Sequence, residues 1–368
     1  MEIFDRIAAR EHEQVVFCHD PVTGLRAIVA IHDTTLGPAL GGTRMWRYAD
    51  DGAALEDALR LARGMTYKSA AAGLNLGGGK AVIIGNSKTD KNEMLFRSYG
   101  RFIQGIGGRY ITAEDVGTSV QDMEWVRMET DFVVGISRAL GGSGDPSPFT
   151  ALGVLQGMRA ALMERTGSDS LSGKVVSVQG VGHVGYHLVG LVVQRGGRAI
   201  VADIDQENLR RVTADFEGVE VVDPDAIYDA DCDIYAPCAL GAVINDETLP
   251  RLQCSIVAGS ANNVLAEDRH GEALEARDIL YAPDYVVNAG GLMNVANELE
   301  GYNQDRSTQQ VSGIYDITTE IFRIAKEESI TPAAAADRLA LRRIASVARI
   351  KDTHVPLPLK RIQQHHGH

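Results

Sequence analysis

Cysteine is scarce in this chain. The four present (Cys18, Cys232, Cys238 and Cys254) form no CxxC pair, and a disulfide scaffold of this size would use more. Long apolar runs are missing too, and none approaches the roughly 18 residues that a membrane span needs. The opening residues Met1-Glu2-Ile3-Phe4-Asp5 have neither the basic start nor the apolar stretch of a signal peptide. Positive charge is in deficit, with 36 basic against 49 acidic side chains and a net charge of -13. Such a surface repels phosphate backbones, which argues against a generic nucleic-acid binder. These absences predict a soluble, reduced, cytoplasmic protein with no nucleic-acid or membrane partner. Order is not lacking: 45% hydrophobic and 23% charged residues are ordinary for a globular protein, and 368 residues suffice for two or three domains. Glycine is in excess, with 39 residues, and its clusters mark where chemistry is expected.

No internal repeat is visible. Val15–Cys18 and Leu25–Ile31 are β-rich runs around the turn cluster Asp20-Pro21-Val22-Thr23-Gly24, which predicts a hairpin. Leu55, Ala58, Leu59 and Ala62 recur at helical spacing. A small-residue segment from Gly64 to Gly79 follows, then a strand over Lys80–Ile84. Gly141-Gly142-Ser143-Gly144-Asp145-Pro146-Ser147-Pro148 is read as a domain boundary and a hinge. Beyond a helix over about 150–165, apolar strands near 175–178, 199–202, 233–236 and 255–258 alternate with helical stretches, the pattern of βαβ units and a parallel sheet. Ile314, Ile317, Ile321 and Ile324 mark a helical region over roughly 308–350. The terminal His365, His366 and His368 read as a frayed end, and no metal site is expected.

Gly180-Val181-Gly182-His183-Val184-Gly185 fits G-x-G-x-x-G, directly after the strand at 174–178 and opening an apolar helix. Gly180 permits the tight turn, Gly182 lets backbone approach a pyrophosphate, and Gly185 lets helix and strand pack closely. The helix start offers free N–H groups and a positive dipole end to phosphates. Asp203 ends the next strand roughly 20 residues on, where an acid accepts hydrogen bonds from the adenosine ribose. Its charge opposes a 2′-phosphate and no arginine follows within Ile204-Asp205-Gln206, which favours NAD over NADP.

Lys68 and Lys80 both sit among small or apolar residues. Burial and a second ammonium nearby each disfavour the charged form, so one such lysine can act as a base near neutral pH. The three glycines before Lys80 suggest close approach by substrate or cofactor. Asp115 ends a short apolar strand. By residue chemistry alone, two snorkelling lysines and a helix-capping aspartate fit equally well.

Leu74-Asn75-Leu76-Gly77-Gly78-Gly79-Lys80 resembles the active-site signature of the glutamate/leucine/phenylalanine/valine dehydrogenases. Thr35–Gly42, Ala258–Asn263 and Ala282–Gly291 resemble further blocks of that family, and the resemblance runs from Met1 to about residue 350. Their order and spacing are most similar to the leucine-specific branch. The resemblance implies an α/β protein of two domains: a substrate-binding and oligomerisation domain over 1–140, and a Rossmann-like, doubly wound NAD-binding domain over 141–330. The cleft lies between them, and a C-terminal helix over 331–368 packs back on the first domain. It implies reversible, NAD-dependent oxidative deamination of L-leucine, and of valine and isoleucine, to the 2-oxo acid, ammonia and NADH, by a homo-oligomer, an octamer.

Carried over by position, Lys68 would bind the substrate carboxylate, Lys80 would activate water, and Asp115 would move protons at the amino nitrogen. Gly41, Gly42 and Met65 would line the site. Asn262 would bridge substrate and nicotinamide, and Thr150 would hold the carboxamide. Val181, His183, Val184, Ile204, Cys238 and Ala239 would join the fingerprint glycines and Asp203 around the cofactor. Leu40, Ala113, Leu292 and Val295 would form the side-chain pocket. Where leucine enzymes usually carry valine this chain has Leu292, as phenylalanine enzymes tend to; where those prefer glycine it keeps the methyl of Ala113, which would crowd a ring. The signature often continues towards a proline after the strand, where this chain has Asn86-Ser87, a distal departure. The alternatives are a phenylalanine dehydrogenase, a glutamate dehydrogenase, disfavoured by the apolar Leu40 and Val295, or a non-catalytic NAD-binding regulator.

Overall fold

The computed structural model describes residues 3–351, so the terminal histidines lie outside the described residues. A short helix α1 (Ile3–Ala8) precedes the hairpin of β1 (Gln14–Asp20) and β2 (Leu25–Asp33), paired from Gln14↔Ile31 to Asp20↔Leu25. Asp20 makes this turn by accepting from the Val22 amide (3.0 Å) and the Thr23 hydroxyl (2.7 Å). Then come β3 (Ala39–Trp46), α2 (Asp51–Ala71), β4 (Gly77–Ile84), α3 (Glu93–Gly105), β5 (Tyr110–Glu114) and α4 (Val120–Arg127). These strands form one sheet in the order β1-β2-β4-β3-β5, with β3 parallel to both β4 and β5.

Asp50 caps α2, and its buried stripe of Ala54, Leu55, Ala58, Leu59 and Ala62 packs on Ile28, Ala30 and Val82 of the sheet. Helix α2 continues through Gly64 to Ala71, well past the periodic stretch visible in the sequence. A lone helix glycine costs only about 0.5–1 kcal/mol, which packing of this helix on the sheet readily offsets. The opposite face of the sheet is covered by α3 and α4 through Phe96, Tyr99, Ile103, Met123 and Val126.

The rest of the chain builds a second sheet. Helix α5 (Ser147–Thr166) leads to β6 (Val175–Gln179), α6 (His183–Gln194), β7 (Arg198–Ala202), α7 (Gln206–Asp215), β8 (Glu220–Val221), β9 (Ile234–Pro237), β10 (Ile256–Val257), α8 (Arg269–Ala276) and β11 (Leu280–Tyr281). All pairings are parallel and the order is β11-β10-β9-β6-β7-β8. Counted within this unit that is 6-5-4-1-2-3, the doubly wound dinucleotide-binding order read from the other edge. Its core joins Val176, Val178 and Ile234 to Val154 and Met158 of α5 and Leu188 and Val192 of α6.

Helices α9 (Asp284–Val287), α10 (Gly290–Ala296), α11 (Gln304–Ser312), α12 (Ile314–Glu328) and α13 (Pro332–Lys351) complete the described chain. α13 returns to the first sheet's side, where Ala335, Ala336 and Ala340 pack with Ala70 and Ala71 of α2. Arg343 on α13 donates to the carbonyls of Gly73 (3.0 Å) and Leu74 (2.5 Å) and to Asn75 Oδ1 (2.8 Å), bracing the turn between α2 and β4. Among the described residues no helix is long and apolar enough to cross a membrane.

Candidate active site

Lys68 lies near the C-terminal end of α2, Lys80 lies within β4, and Asp115 directly follows β5. Lys80 is 5% exposed and its Nζ is 2.9 Å from Asp115 Oδ2. Arg44 of β3 donates through Nε to the same oxygen at 3.1 Å. Burial would raise the Asp115 carboxyl, but Lys80 and Arg44 outweigh it and hold the group below the usual carboxylate range. Burial pushes the Lys80 ammonium below the ordinary lysine value despite Asp115 beside it. Lys68 donates to Asn288 Oδ1 at 2.6 Å, and burial lowers it to about 8, with Asp284 pulling upward and Lys80 pushing further down. From the residues alone the lysines were as well explained as surface snorkellers; here the two join one partly enclosed cluster.

The glycines of β4 have a different cause from the expected one. A Cβ on Gly77 would lie 2.0 Å from Asp33 O, one on Gly78 2.0 Å from Thr66 N of α2, and one on Gly79 2.7 Å from the Tyr110 ring. Neighbouring protein, not a ligand, occupies the space beside each. Their effect on the site is indirect but large: α2 can lie directly on β4, so the elements carrying Lys68 and Lys80 touch. Gly41 and Gly42 behave alike, since a Cβ on Gly41 would meet Gly79 O at 1.7 Å and one on Gly42 the Asp115 Cβ at 2.8 Å.

A cleft of ≈ 300 Å³ is lined by Arg44, Met65, Lys68, Lys80, Asp115, Asn262 and Asp284, among others. Next to it Leu40, Ala113, Leu292 and Val295 form one apolar cluster with Leu76, Ile111 and Val134, and Met65 packs against it. Met65 thus joins the charged cleft to the apolar pocket. Leu40 and Ala113 come from the first sheet, whereas Leu292 and Val295 come from α10 after the second. Asn288 spans the same divide. Its amide nitrogen donates to Asn262 Oδ1 (2.8 Å) and Ser260 O (3.1 Å) while its oxygen accepts from Lys68.

The fingerprint loop sits at the switch point between β6 and β9. Gly180 has φ 91, and a Cβ there would lie 2.7 Å from the Ala239 Cβ; a Cβ on Gly185 would lie 2.0 Å from Gly180 O. Beside Gly182 there is open space, and α6 begins at His183. The first amides of α6, including those of His183 and Val184, have no carbonyl one turn back to bond, which suits an anion. This cradle fits a dinucleotide. Cys238 and Ala239 follow β9 on the other side of the crevice, with the Cys238 amide donating to Gln179 O at 2.7 Å. Ile204 is 90% exposed beyond β7. Thr150 donates to Pro146 O at 3.1 Å, and its Oγ1 would lie 2.5 Å from a Cβ on Gly291.

Asp203 and Arg211 also make contacts to the loop itself. The Val181 side chain is buried and its amide is already given to Asp203 Oδ2 at 2.8 Å, so Asp203 first holds the fingerprint loop. The local stretch after Asp203 lacks arginine, yet Arg211 of α7 reaches Gly182 O at 3.5 Å across the fold. Among the described residues no group of three or more His, Cys, Asp or Glu side chains could hold a metal ion.

Residues 12–132 match the description "Glu/Leu/Phe/Val dehydrogenase, dimerisation domain" and residues 203–351 match "Glutamate/Leucine/Phenylalanine/Valine dehydrogenase". The chain belongs to this dehydrogenase family. It is 59% identical to a leucine dehydrogenase of Thermoactinomyces intermedius over 353 residues, 96% of each chain. A phenylalanine dehydrogenase of the same organism is 47% identical over 351 residues, 95% of this chain and 96% of that one. The crystal structure of an L-tryptophan dehydrogenase from Nostoc punctiforme superposes with a TM-score of 0.82 at 46% identity, covering 94% of this chain and 99% of that one.

This amino acid dehydrogenase therefore has the expected α/β fold of two domains, an N-terminal dimerisation domain and a Rossmann-like domain consistent with NAD(P) use. The residues missed by sequence reading are Arg44, Asp284 and Asn288. Each stands inside a quoted block or next to one: Arg44 two residues after Gly42, the others within Ala282–Gly291. Their charge or amide set amid glycine and apolar residues was the available signal.

Proposed function

We propose that this dehydrogenase oxidatively deaminates L-leucine reversibly, with valine and isoleucine as secondary substrates and NAD as oxidant. The observation that carries the reading is the wholly apolar pocket of Leu40, Ala113, Leu292 and Val295 beside a cleft holding Lys68, Lys80 and Asp115. The higher identity to a leucine dehydrogenase than to a phenylalanine dehydrogenase supports it. An aliphatic side chain gains about 0.8 kcal/mol per buried CH₂, so relatives differing by one methylene differ only several-fold. Glutamate would bury a second carboxylate without a cation and is rejected far more strongly.

In this reading the Lys68 ammonium takes the substrate carboxylate, with Asn262 beside it. Asp115 receives and returns a proton at the amino nitrogen, and neutral Lys80 takes a proton from the water that attacks the iminium carbon. Bound NAD supplies the hydride acceptor for Cα. The start of α6, Gly182 and the Cys238–Ala239 turn hold its phosphates and ribose, Thr150 holds its carboxamide, and Asp203 disfavours a 2′-phosphate. The two working units are 1–140, with α13 returning to it, and 141–330, joined through a hinge at 141–148. Assembly into an octamer in the cytoplasm completes the reading.

The test is NADH formation with a panel of amino acids and with both NAD and NADP. Leucine is expected to give the highest kcat/KM, with NAD well ahead of NADP; because Leu292 is the phenylalanine-type residue, phenylalanine is the second candidate. Ala113→Gly is expected to raise the phenylalanine-to-leucine ratio of kcat/KM. A wild type preferring phenylalanine, or an unchanged ratio, overturns the choice of leucine.

A further inference from the structure

Asp115 is held from two sides, and the proposed chemistry uses only one of them. Lys80 and Arg44 both contact Oδ2, at 2.9 and 3.1 Å. Among the described residues no side chain pairs with Oδ1. Arg44 is itself fixed, because its Nη1 donates to Asp57 Oδ2 of α2 at 2.8 Å. That oxygen also accepts from the Tyr48 hydroxyl at 2.8 Å, and Arg60 donates to Asp57 Oδ1 at 3.0 Å. One planar guanidinium therefore links the proton-transfer carboxylate to a carboxylate on the helix that carries Lys68. A lysine could not span both carboxylates with fixed geometry.

We propose that Arg44 is a positioning residue for amino acid oxidation: it anchors Asp115 through Oδ2 so that Oδ1 is the oxygen that exchanges a proton with the substrate nitrogen. The inference rests on the assignment of Asp115 to that proton transfer. Its physical necessity comes from Lys80. A lysine that acts as a base spends part of the cycle uncharged, and Asp115 then loses one of its two cations. Arginine does not deprotonate in proteins, so Arg44 keeps Asp115 oriented through Oδ2 throughout and favours its carboxylate form whenever the transferred proton is not on it. The groups facing Asp115 are Lys80 from β4, Arg44 from β3, Lys68 and Asp57 from α2, Tyr48 after β3, and Glu114 and Tyr110 from β5. Of these, Arg44 is the one permanent cation in contact with it.

The experiment compares wild type, Arg44→Met and Arg44→Lys in the full chain, with the best substrate of the panel. It measures kcat and KM across pH, with dinucleotide binding and Tm as controls. Arg44→Met is expected to lose about 100-fold in kcat, the scale of a misplaced reacting group, with the amino acid KM changed far less. Its acidic limb moves up by about one pH unit, because a neighbouring cation that favours the carboxylate is gone. Arg44→Lys keeps the charge and loses the fork, so its acidic limb stays near wild type while kcat recovers only part of the loss. An Arg44→Met enzyme with wild-type kcat and acidic limb overturns the proposal, as does a loss of activity that only tracks a fall in Tm. If Arg44→Met does not fold, wild-type kcat in Arg44→Lys overturns it equally. A wild type that oxidises no amino acid removes the underlying reading as well, a result distinct from an active wild type indifferent to these changes.

Discussion

At the scale of single residues, two lysines twelve positions apart have been given different surroundings. Lys80 is enclosed in β4 against Asp115, whereas Lys68 is half-buried and shared between Asn288 and the field of Asp284. Removing Lys80 should therefore remove a base, and removing Lys68 should remove a carboxylate partner. Lys80→Ala is expected to cut turnover by roughly 100-fold or more with dinucleotide binding retained, and Lys68→Ala to raise the KM for the amino acid strongly. The lowered Lys68 value adds a pH signature. Its charged form prevails below about 8 and is lost above it, so affinity for a carboxylate falls as pH rises through that point. In the reductive direction, where the 2-oxo acid has no titrating amino group, KM should climb above about pH 8 in the wild type and stay flat in Lys68→Met. Equal damage to kcat and KM in both lysine variants, or a flat wild-type KM, would dismiss this division of labour.

At the scale of elements, the decisive contact is that of α2 on β4. Two glycines bracket its energetics. Gly64 lies in α2 with nothing within 4 Å of a built Cβ, whereas the corresponding Cβ on Gly78 would lie 2.0 Å from a backbone nitrogen of α2. Gly64→Ala should therefore stabilise by about 0.5–1 kcal/mol, through the smaller entropy lost on folding. Gly78→Ala should destabilise by about 1–3 kcal/mol or more, because a helix backbone cannot step aside as a side-chain end can. It should also raise the amino acid KM, since α2 carries Lys68. Thermal melts of the two variants check this, and Tm shifts of the same sign would mean that α2 is not seated on β4 as described.

For the whole molecule, the pocket is a property of neither sheet alone. Leu40 and Ala113 belong to the first, Leu292 and Val295 to α10, and Asn288 reaches Lys68 across the gap. Glu298, just beyond α10, accepts from the Gly135 amide at 3.1 Å and the Ser143 amide at 2.7 Å, tying that side to the connecting segment. Gly141 and Gly144, with φ 87 and 69, allow backbone that other residues adopt at a cost. Any rotation about 141–148 must then change both the pocket width and the Lys68–Asn288 distance. The interdomain angle is expected to differ between crystals of the free protein and of its complex with dinucleotide and amino acid, closure excluding water from the charged cluster. Two such crystals superposing as one rigid body would end that expectation.

The chain's own order of residues determined whatever depends on near neighbours. The hairpin at Asp20–Gly24, the βαβ alternation after residue 175 and the fingerprint turn at 180–185 are written in turn residues, two- and 3.6-residue periods and glycine spacing, all of which act within a few positions. The family resemblance likewise singled out Lys68, Lys80 and Asp115 as candidates without coordinates. Contacts between distant segments had no such signal. Lys68 meets Asn288 from 220 positions away and Arg44 meets Asp115 from 71, so neither pairing leaves a local trace. Helix α2 outran its visible periodicity because seating on β4 outweighs the propensity of Gly64. The β4 glycines looked like ligand contacts because a missing Cβ says only that something comes close. Which something it was, α2 and the neighbouring strands, is a property of packing, and packing exists only once the chain has folded.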